Sequence, residues 1–235
     1  MTSSSSALCT LQLCVGELQE NCYLLWRAGA IHLRGGAKLC AVFDPGAEAE
    51  RIRREMKEHQ VMPAAFVQTH CHGDHIGALT ELKAAHPGVP LYVPEAELHW
   101  LKKPLLNLSY FVGGNVTAPD ADHPVRDGDV LDLGFATLRA IHVPGHSPGG
   151  TAYYVEDASG EPPHLFCGDI LFQNGIGRTD LPGGGGMDEL VAGIREKLFV
   201  LPDNTVCHPG HGPETTIGDE KAFNPFCGLD EGGIA

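Results

Sequence analysis

The densest chemistry in the chain is a nine-residue run, Thr69-His70-Cys71-His72-Gly73-Asp74-His75-Ile76-Gly77. Four side chains that can bind a transition metal fall within six positions. In an extended stretch, side chains two apart point the same way. His70 and His72 can therefore converge on one ion, while Cys71 between them faces the other side. Asp74 and His75 lie where the chain turns into a helix and can face a second ion. Imidazole with carboxylate suits zinc or iron. Gly73 is expected to permit the bend between the two pairs. A polar loop with accidental histidines is the plain alternative, and the density of the cluster argues against it.

Such a cluster could drive a hydrolysis. Water near neutral pH is too weakly ionised to attack a carbonyl carbon. A bound divalent cation lowers its pKa from about 15.7 toward about 7 and acts as a Lewis acid on the developing oxyanion. A thioester suits this chemistry, because a thiolate leaves with little help from a proton donor. Asp74 can serve twice, as a ligand and as the hydrogen-bond acceptor that holds the attacking hydroxide.

These side chains need a frame. The segment AAFVQT (64–69) reads as a short buried strand ending at the cluster, and IGALTELKAAH (76–86) as the helix leaving it, closed by Pro87-Gly88. Sites in α/β folds gather at such carboxyl ends of strands. NCYLLW and KLCAVFD are further strands, and AEAERIRREMKEHQ (47–60) is an amphipathic helix with Ala49, Ile52 and Met56 on one face. VPLYV, DVLDLG, ATLRAIHV, TAYYVED, HLFCGD and TVCHPG read as strands, with DVLDLG and ATLRAIHV alternating like an antiparallel hairpin. MDELVAGIREKLFVL reads as one amphipathic helix, and DEKAFNPF as a short helix near the end. Strand–helix alternation followed by a run of strands implies a layered α/β domain.

The pattern H-x-H-x-D-H at 70–75 resembles the signature of the metallo-β-lactamase superfamily, and the other pieces of that signature follow in order. They are Val143-Pro144-Gly145-His146-Ser147-Pro148-Gly149, Phe166-Cys167-Gly168-Asp169 and His208-Pro209-Gly210-His211-Gly212. The resemblance implies a four-layer αββα sandwich of two mixed sheets with helices outside. It also implies two divalent metal ions, zinc first, with iron or manganese as alternatives. His70, His72 and His146 would hold one ion, Asp74, His75 and His211 the other, and Asp169 would bridge both.

A closer resemblance is to glyoxalase II-like enzymes of the short bacterial type, running from about residue 11 to residue 228. It rests on Asn21-Cys22-Tyr23, Asp44-Pro45-Gly46, the run Gly175 to Gly183 containing Arg178-Thr179-Asp180, and the tail Gly212 to Phe226. It implies one metallo-β-lactamase-like domain over 8–228 and a small thioester substrate such as S-lactoylglutathione. Only 24 residues follow His211, so no C-terminal helical glutathione-binding domain is expected. Persulfide dioxygenases are a rival class on the same fold, using one iron held by residues matching His70, His146 and Asp169. A lactonase or other ester hydrolase is a second rival, and a non-catalytic metal-binding protein a third.

Outside the seven ligands, Arg178 has two even readings: a cation for a substrate carboxylate, or a partner for Asp180. Tyr110 and Phe111 are expected in the core rather than in a pocket wall. Gly183 to Gly186 lacks the lysine of a phosphate loop and is expected to be mobile. His142 reads as structural, and a contact of His208 with a ligand is the lesser of its readings. His32, His59, His86, His99, His123 and His164 are expected on the surface or in turns.

Composition sets outer bounds. The net charge of −14 repels nucleic acid and anionic membranes, so neither is expected as a partner. No stretch is long and apolar enough for a membrane helix. The opening MTSSSSALCTLQLCVGELQE lacks a basic leader, and the eight cysteines form no C-x-x-C pair. A cytoplasmic location follows from both, with a small-molecule substrate as the expected partner; the sequence is silent on oligomeric state.

Overall fold

The computed structural model describes residues 7–29, 36–157 and 159–229. The first half builds one six-stranded sheet. Strands β1 (Leu8–Val15), β2 (Glu20–Arg27) and β3 (Lys38–Phe43) form an antiparallel meander. Strands β4 (Val61–Val67), β5 (Leu91–Pro94) and β6 (His123–Val125) then add in parallel, giving the order β1-β2-β3-β4-β5-β6. Parallel neighbours need crossovers. Helix α1 (Ala49–Glu58) supplies the first, and α2 (Gly73–Ile76) with α3 (Leu79–Ala85) the second. Two 3₁₀ turns, Glu95–Lys102 and Ser109–Val112, lie on the third.

The second half builds the facing sheet, in the order β14-β13-β10-β9-β8-β7. Its strands are β7 (Val130–Asp132), β8 (Thr137–His142), β9 (Thr151–Val155), β10 (His164–Gly168), β13 (Val206–Pro209) and β14 (Thr215–Thr216). A small hairpin of β11 (Leu171–Phe172) and β12 (Gly175–Ile176) leaves the end of β10. Helix α4 (Met187–Gly193), prolonged by a π turn over Ile194–Leu198, crosses back to β13, and α5 (Ile217–Phe223) follows β14. No helix among the described residues is long and apolar enough to cross a membrane.

The layers are visible in how alternate side chains divide. On β2, Cys22 and Leu24 pack toward α1 and α3, with Ile52, Met56, Leu79 and Leu82. Tyr23 and Leu25 point the other way, into a layer shared with Leu138, Tyr153 and Phe166 of the second sheet. β3 divides likewise, with Val42 on the helix side and Phe43 between the sheets. Leu165 and Cys207 face outward onto Leu190, Ile194 and Leu198. The outcome is helix, sheet, sheet, helix, the expected αββα sandwich. Strands buried on both faces read as unbroken apolar runs, which is why NCYLLW and KLCAVFD were recognisable.

Two expected helices need correction. The helix expected over 76–86 is split at Gly77-Ala78, where a Cβ on Gly77 would sit 2.2 Å from the Gly46 carbonyl oxygen. The helix expected over 187–201 changes to π spacing at Ile194, closed by Phe199 N–H donating to the Ile194 carbonyl at 2.9 Å. Strand β1 was not anticipated at all.

The central layer depends on aromatic packing. The rings of Phe43 and Phe166 stack with centroids 3.9 Å apart and planes 6° from parallel. Both are buried. Phe43→Ala should therefore cost about 3–5 kcal/mol, read from the denaturation midpoint of the metal-free protein.

Candidate metal centre

Five strands deliver the site from one edge of the sandwich. Asp44 follows β3, the run 70–75 follows β4, His146 follows β8, Asp169 follows β10 and His211 follows β13. The structure brings all seven residues expected as ligands to this edge. His72 Nδ1 lies 2.9 Å from His70 Nε2 and 3.0 Å from His146 Nε2. The three rings meet edge-on, at 80–84°. Asp74, His75 and His211 form a second group, with Asp74 Oδ2 3.3 Å from His211 Nε2 and 3.9 Å from His75 Nε2. Asp169 touches both groups. Its Oδ1 is 3.5 Å from His75 Nε2, and its Oδ2 is 3.5 Å from His146 Nε2 and 3.7 Å from His211 Nε2.

What aims these atoms is a layer of hydrogen bonds behind them. The carboxylate of Asp44 accepts from the Thr69 N–H at 2.7 Å and from the Thr69 hydroxyl at 2.6 Å. It also lies 3.1 Å from His75 Nδ1. With its own proton committed to Asp44, Thr69 Oγ1 is left to accept from His70 Nδ1 at 3.1 Å. One carboxylate thus fixes Nδ1 of a histidine in each group and leaves each Nε2 facing the centre. His146 is fixed in the same way by the Arg178 carbonyl, 2.8 Å from Nδ1.

Glu97 does a similar task for the backbone. It is fully buried in the 3₁₀ turn after β5. One oxygen accepts from the Cys71 N–H at 2.5 Å and the other from the Gly149 N–H at 2.7 Å. The loop carrying His70 and His72 is thereby tied to the loop carrying His146. Trp100, one turn on, stacks on the His72 ring at 5.7 Å. On the other side, Asn21 donates to the carbonyls of Pro209 and Gly212, and the Tyr23 hydroxyl to Pro209. These bonds clamp the loop that presents His211.

The electrostatics differ between the two groups. Burial, with His75 and His72 nearby, pushes His70 well below the usual imidazole range. Burial and His146 bring His72 down to about 3. Both stay neutral, with lone pairs to offer. Burial also opposes charge on His75, yet Asp169 and Asp74 hold it well above the ordinary value. His211 is raised as well; burial opposes its charge, and the hydrogen bond it donates to Asp74 and the charge of Asp169 prevail. Burial works against ionisation of Asp74 and Asp169, but His75 holds both below the usual carboxylate range.

These residues fit divalent cations. His75 Nε2 and Asp169 Oδ1 are buried with no hydrogen-bond partner. Three converging imidazole nitrogens cannot all be satisfied by one another. Two donors about 2.1 Å from one ion at tetrahedral angles lie about 3.4 Å apart, close to the 3.3–3.9 Å spacings around Asp74 and Asp169. The backbone leaves room beside them. A Cβ on Gly210 would stand 2.2 Å from Asp169 Oδ1 and 2.7 Å from His75 Cε1.

Other expected residues fall into place or need correcting. Arg178 lies on the cavity rim, and its guanidinium makes a two-point pair with Asp180, both bonds 2.9 Å. Cys71 points away from the centre into the helix-side core. Gly73 needs no unusual backbone; a Cβ there would meet the Ser109 Cβ at 2.6 Å, so close packing and not the bend demands glycine. Tyr110 and Phe111 are 58% and 64% exposed, so the core expectation was wrong, and Phe111 lines the cavity over the site. Gly183 to Gly186, expected to be mobile, is packed on Trp100 and hydrogen-bonded from Gly185 N–H to the Gly145 carbonyl. His208 is buried, and its ring nitrogens bond His164 and Glu214, not a ligand. His142 holds the Pro148 carbonyl, while His59, His86, His99 and His123 lie away from the centre and His32 lies outside the described residues. Sequence reasoning missed Glu97 and Glu20; the latter's two oxygens are buried without partners beside His75.

Comparison with known proteins agrees with this geometry. A family model described as Metallo-beta-lactamase superfamily matches residues 15–211. The chain is 41% identical over 213 residues to "Probable metallo-hydrolase YqgX" of Bacillus subtilis, covering 90% of this chain and 94% of that protein. It is 36% identical over 216 residues to "Hydroxyacylglutathione hydrolase GloC" of Haemophilus influenzae, with the same coverage. Among solved structures, BLEG-1 B3 metallo-beta-lactamase superposes with a TM-score of 0.82 at 38% identity, covering 93% of this chain and 99% of that one. TTHA1623, solved in a di-iron-bound form, superposes with a TM-score of 0.75 at 34% identity, covering 92% and 99%.

Two outcomes follow for metal binding. Glu97→Gln puts an N–H against one of two backbone donors and should weaken the tighter site about 10–100-fold in chelator competition. Acidification should strip the second group first. A cation there must displace protons that His75 and His211 hold above the ordinary imidazole pKa of about 6.5, whereas His72 takes none until about pH 3. Metal content after dialysis at stepped pH reads this directly. Simultaneous loss of both equivalents would contradict it.

Proposed function

We propose that this chain, which belongs to the metallo-β-lactamase superfamily, is a hydroxyacylglutathione hydrolase-like thioesterase whose substrates are small thioesters such as S-lactoylglutathione. In this reading His70, His72 and His146 hold one divalent cation, Asp74, His75 and His211 a second, and Asp169 both. Zinc is favoured, with iron or manganese as alternatives. When bound, the pair supplies an activated water and a Lewis acid for the carbonyl oxygen.

The chain's own groups do the rest. Asp74 faces the cavity and can accept a hydrogen bond from the attacking water, aiming it at the carbonyl carbon. Asp44, Thr69 and the Arg178 carbonyl keep the histidine lone pairs directed inward, so little reorganisation is needed during reaction. The departing thiolate needs no dedicated acid. The similarity to GloC over 90% of the chain supports the thioester substrate.

The observation that carries this reading is the position of Asp169, within 3.5–3.7 Å of donors from both groups. A persulfide dioxygenase would use His70, His146 and Asp169 alone. Gathering Asp74, His75 and His211 around a second centre, with the buried His75 Nε2 unpartnered, favours the two-metal hydrolase.

Metal analysis of the purified protein, paired with an S-lactoylglutathione assay, should find two equivalents and turnover. Asp169→Ala should lower both together. One iron per chain, with oxygen uptake on glutathione persulfide and no thioester cleavage, would overturn the proposal.

A further inference from the structure

The cavity above the metal centre has a volume of about 590 Å³. Its floor is the candidate ligands, and its walls are apolar. One wall is the 3₁₀ turn Ser109–Val112, from which Phe111 and Val112 stand 64% and 63% exposed. Leu18, half exposed in the turn between β1 and β2, lines it with Phe172 and Leu181. Large apolar side chains left uncovered around one opening mark a binding surface.

The wall is held in place by the site beneath it. The Asn107 carbonyl accepts from the Gly73 N–H at 2.7 Å. The Asn107 amide donates to the carbonyls of Trp100 and Val116, and its Oδ1 accepts from the Ser109 N–H. The turn bearing Phe111 is thus laced to the ligand run itself.

Positive charge is scarce. Among the described residues lining the cavity, Arg178 is the one arginine or lysine, and its guanidinium already grips Asp180 through two 2.9 Å bonds. Glutathione brings two carboxylates and an ammonium. Placing those carboxylates against an apolar wall without cations leaves charge unpaired, which is costly. An uncharged alkyl or aryl arm would instead cover Phe111, Val112 and Leu18, and removing that apolar surface from water favours binding.

We infer that the preferred substrate is a thioester whose thiol arm is apolar and uncharged, and that Phe111 and Val112 set this preference. The inference rests on the thioesterase reading and narrows it. Two matched pairs test it on the metal-replete full chain. The first is kcat/KM for S-lactoylglutathione against the lactic acid thioester of butanethiol. The second is equilibrium binding of two inert thioethers, S-butylglutathione and uncharged S-butyl-N-acetylcysteamine. The uncharged member of each pair should be preferred about tenfold or more, and a Phe111→Ser, Val112→Ser double variant should collapse that ratio by about tenfold. Equal or reversed preference in either pair overturns the inference while leaving the thioesterase reading intact, as does a double variant that lowers both members alike. Turnover of neither thioester would sink the thioesterase reading, and the binding pair would still decide whether the cavity selects an apolar arm.

Discussion

The centre depends on one carboxylate that touches no substrate. Asp44 accepts from Thr69 twice and lies against His75 Nδ1, and through Thr69 it also commands His70. Histidine offers two nitrogens, and only the one aimed inward is useful to a cation. Without an outward acceptor, either nitrogen could carry the proton and either ring face could turn. Glu97 plays the same part for the main chain, joining the 70–75 loop to the 146–149 loop. The donors therefore face one another before any ion is present.

This arrangement accepts an electrostatic strain. Imidazoles held neutral at His70 and His72 sit beside a network of His75, His211, Asp74 and Asp169 whose charges support each other. Buried polar atoms are ordinarily paired, so the unpartnered His75 Nε2 and Asp169 Oδ1 mark where a partner belongs. The same economy of positive charge extends outward, since the cavity's arginine is matched to Asp180 and the walls are apolar.

What could be read in the sequence divides along physical lines. The candidate ligands were legible as a group because four metal-binding side chains in six positions are rare, and because the later His and Asp positions fell in the order that the resemblance implies. Strands β2, β3 and β4 were legible because burial on both faces makes them continuous apolar runs. The groups that orient the ligands were not. Asp44 acts on partners 25 and 31 positions away, and Glu97 on partners 26 and 52 away, so each looks locally like an ordinary surface acid. Asp44 entered only as part of a resembling triplet. Phe111 was misplaced by the habit of assigning aromatic residues to the core, a habit that fails where a wall awaits a ligand. Gly73 was misread because its reason lies in Ser109 across the fold, and no local pattern encodes it.

The candidate ligands are divided between the two halves of the chain: 70–75 hang from the first sheet, while 146, 169 and 211 hang from the second. A chain leaving the ribosome amino end first would expose a histidine-rich loop long before its counterparts exist. Neither group is complete until the sheets have stacked, and one must wait for residue 211. Tight capture of metal is thus deferred to the last stage of maturation, so a cation that stays bound certifies a finished tertiary structure.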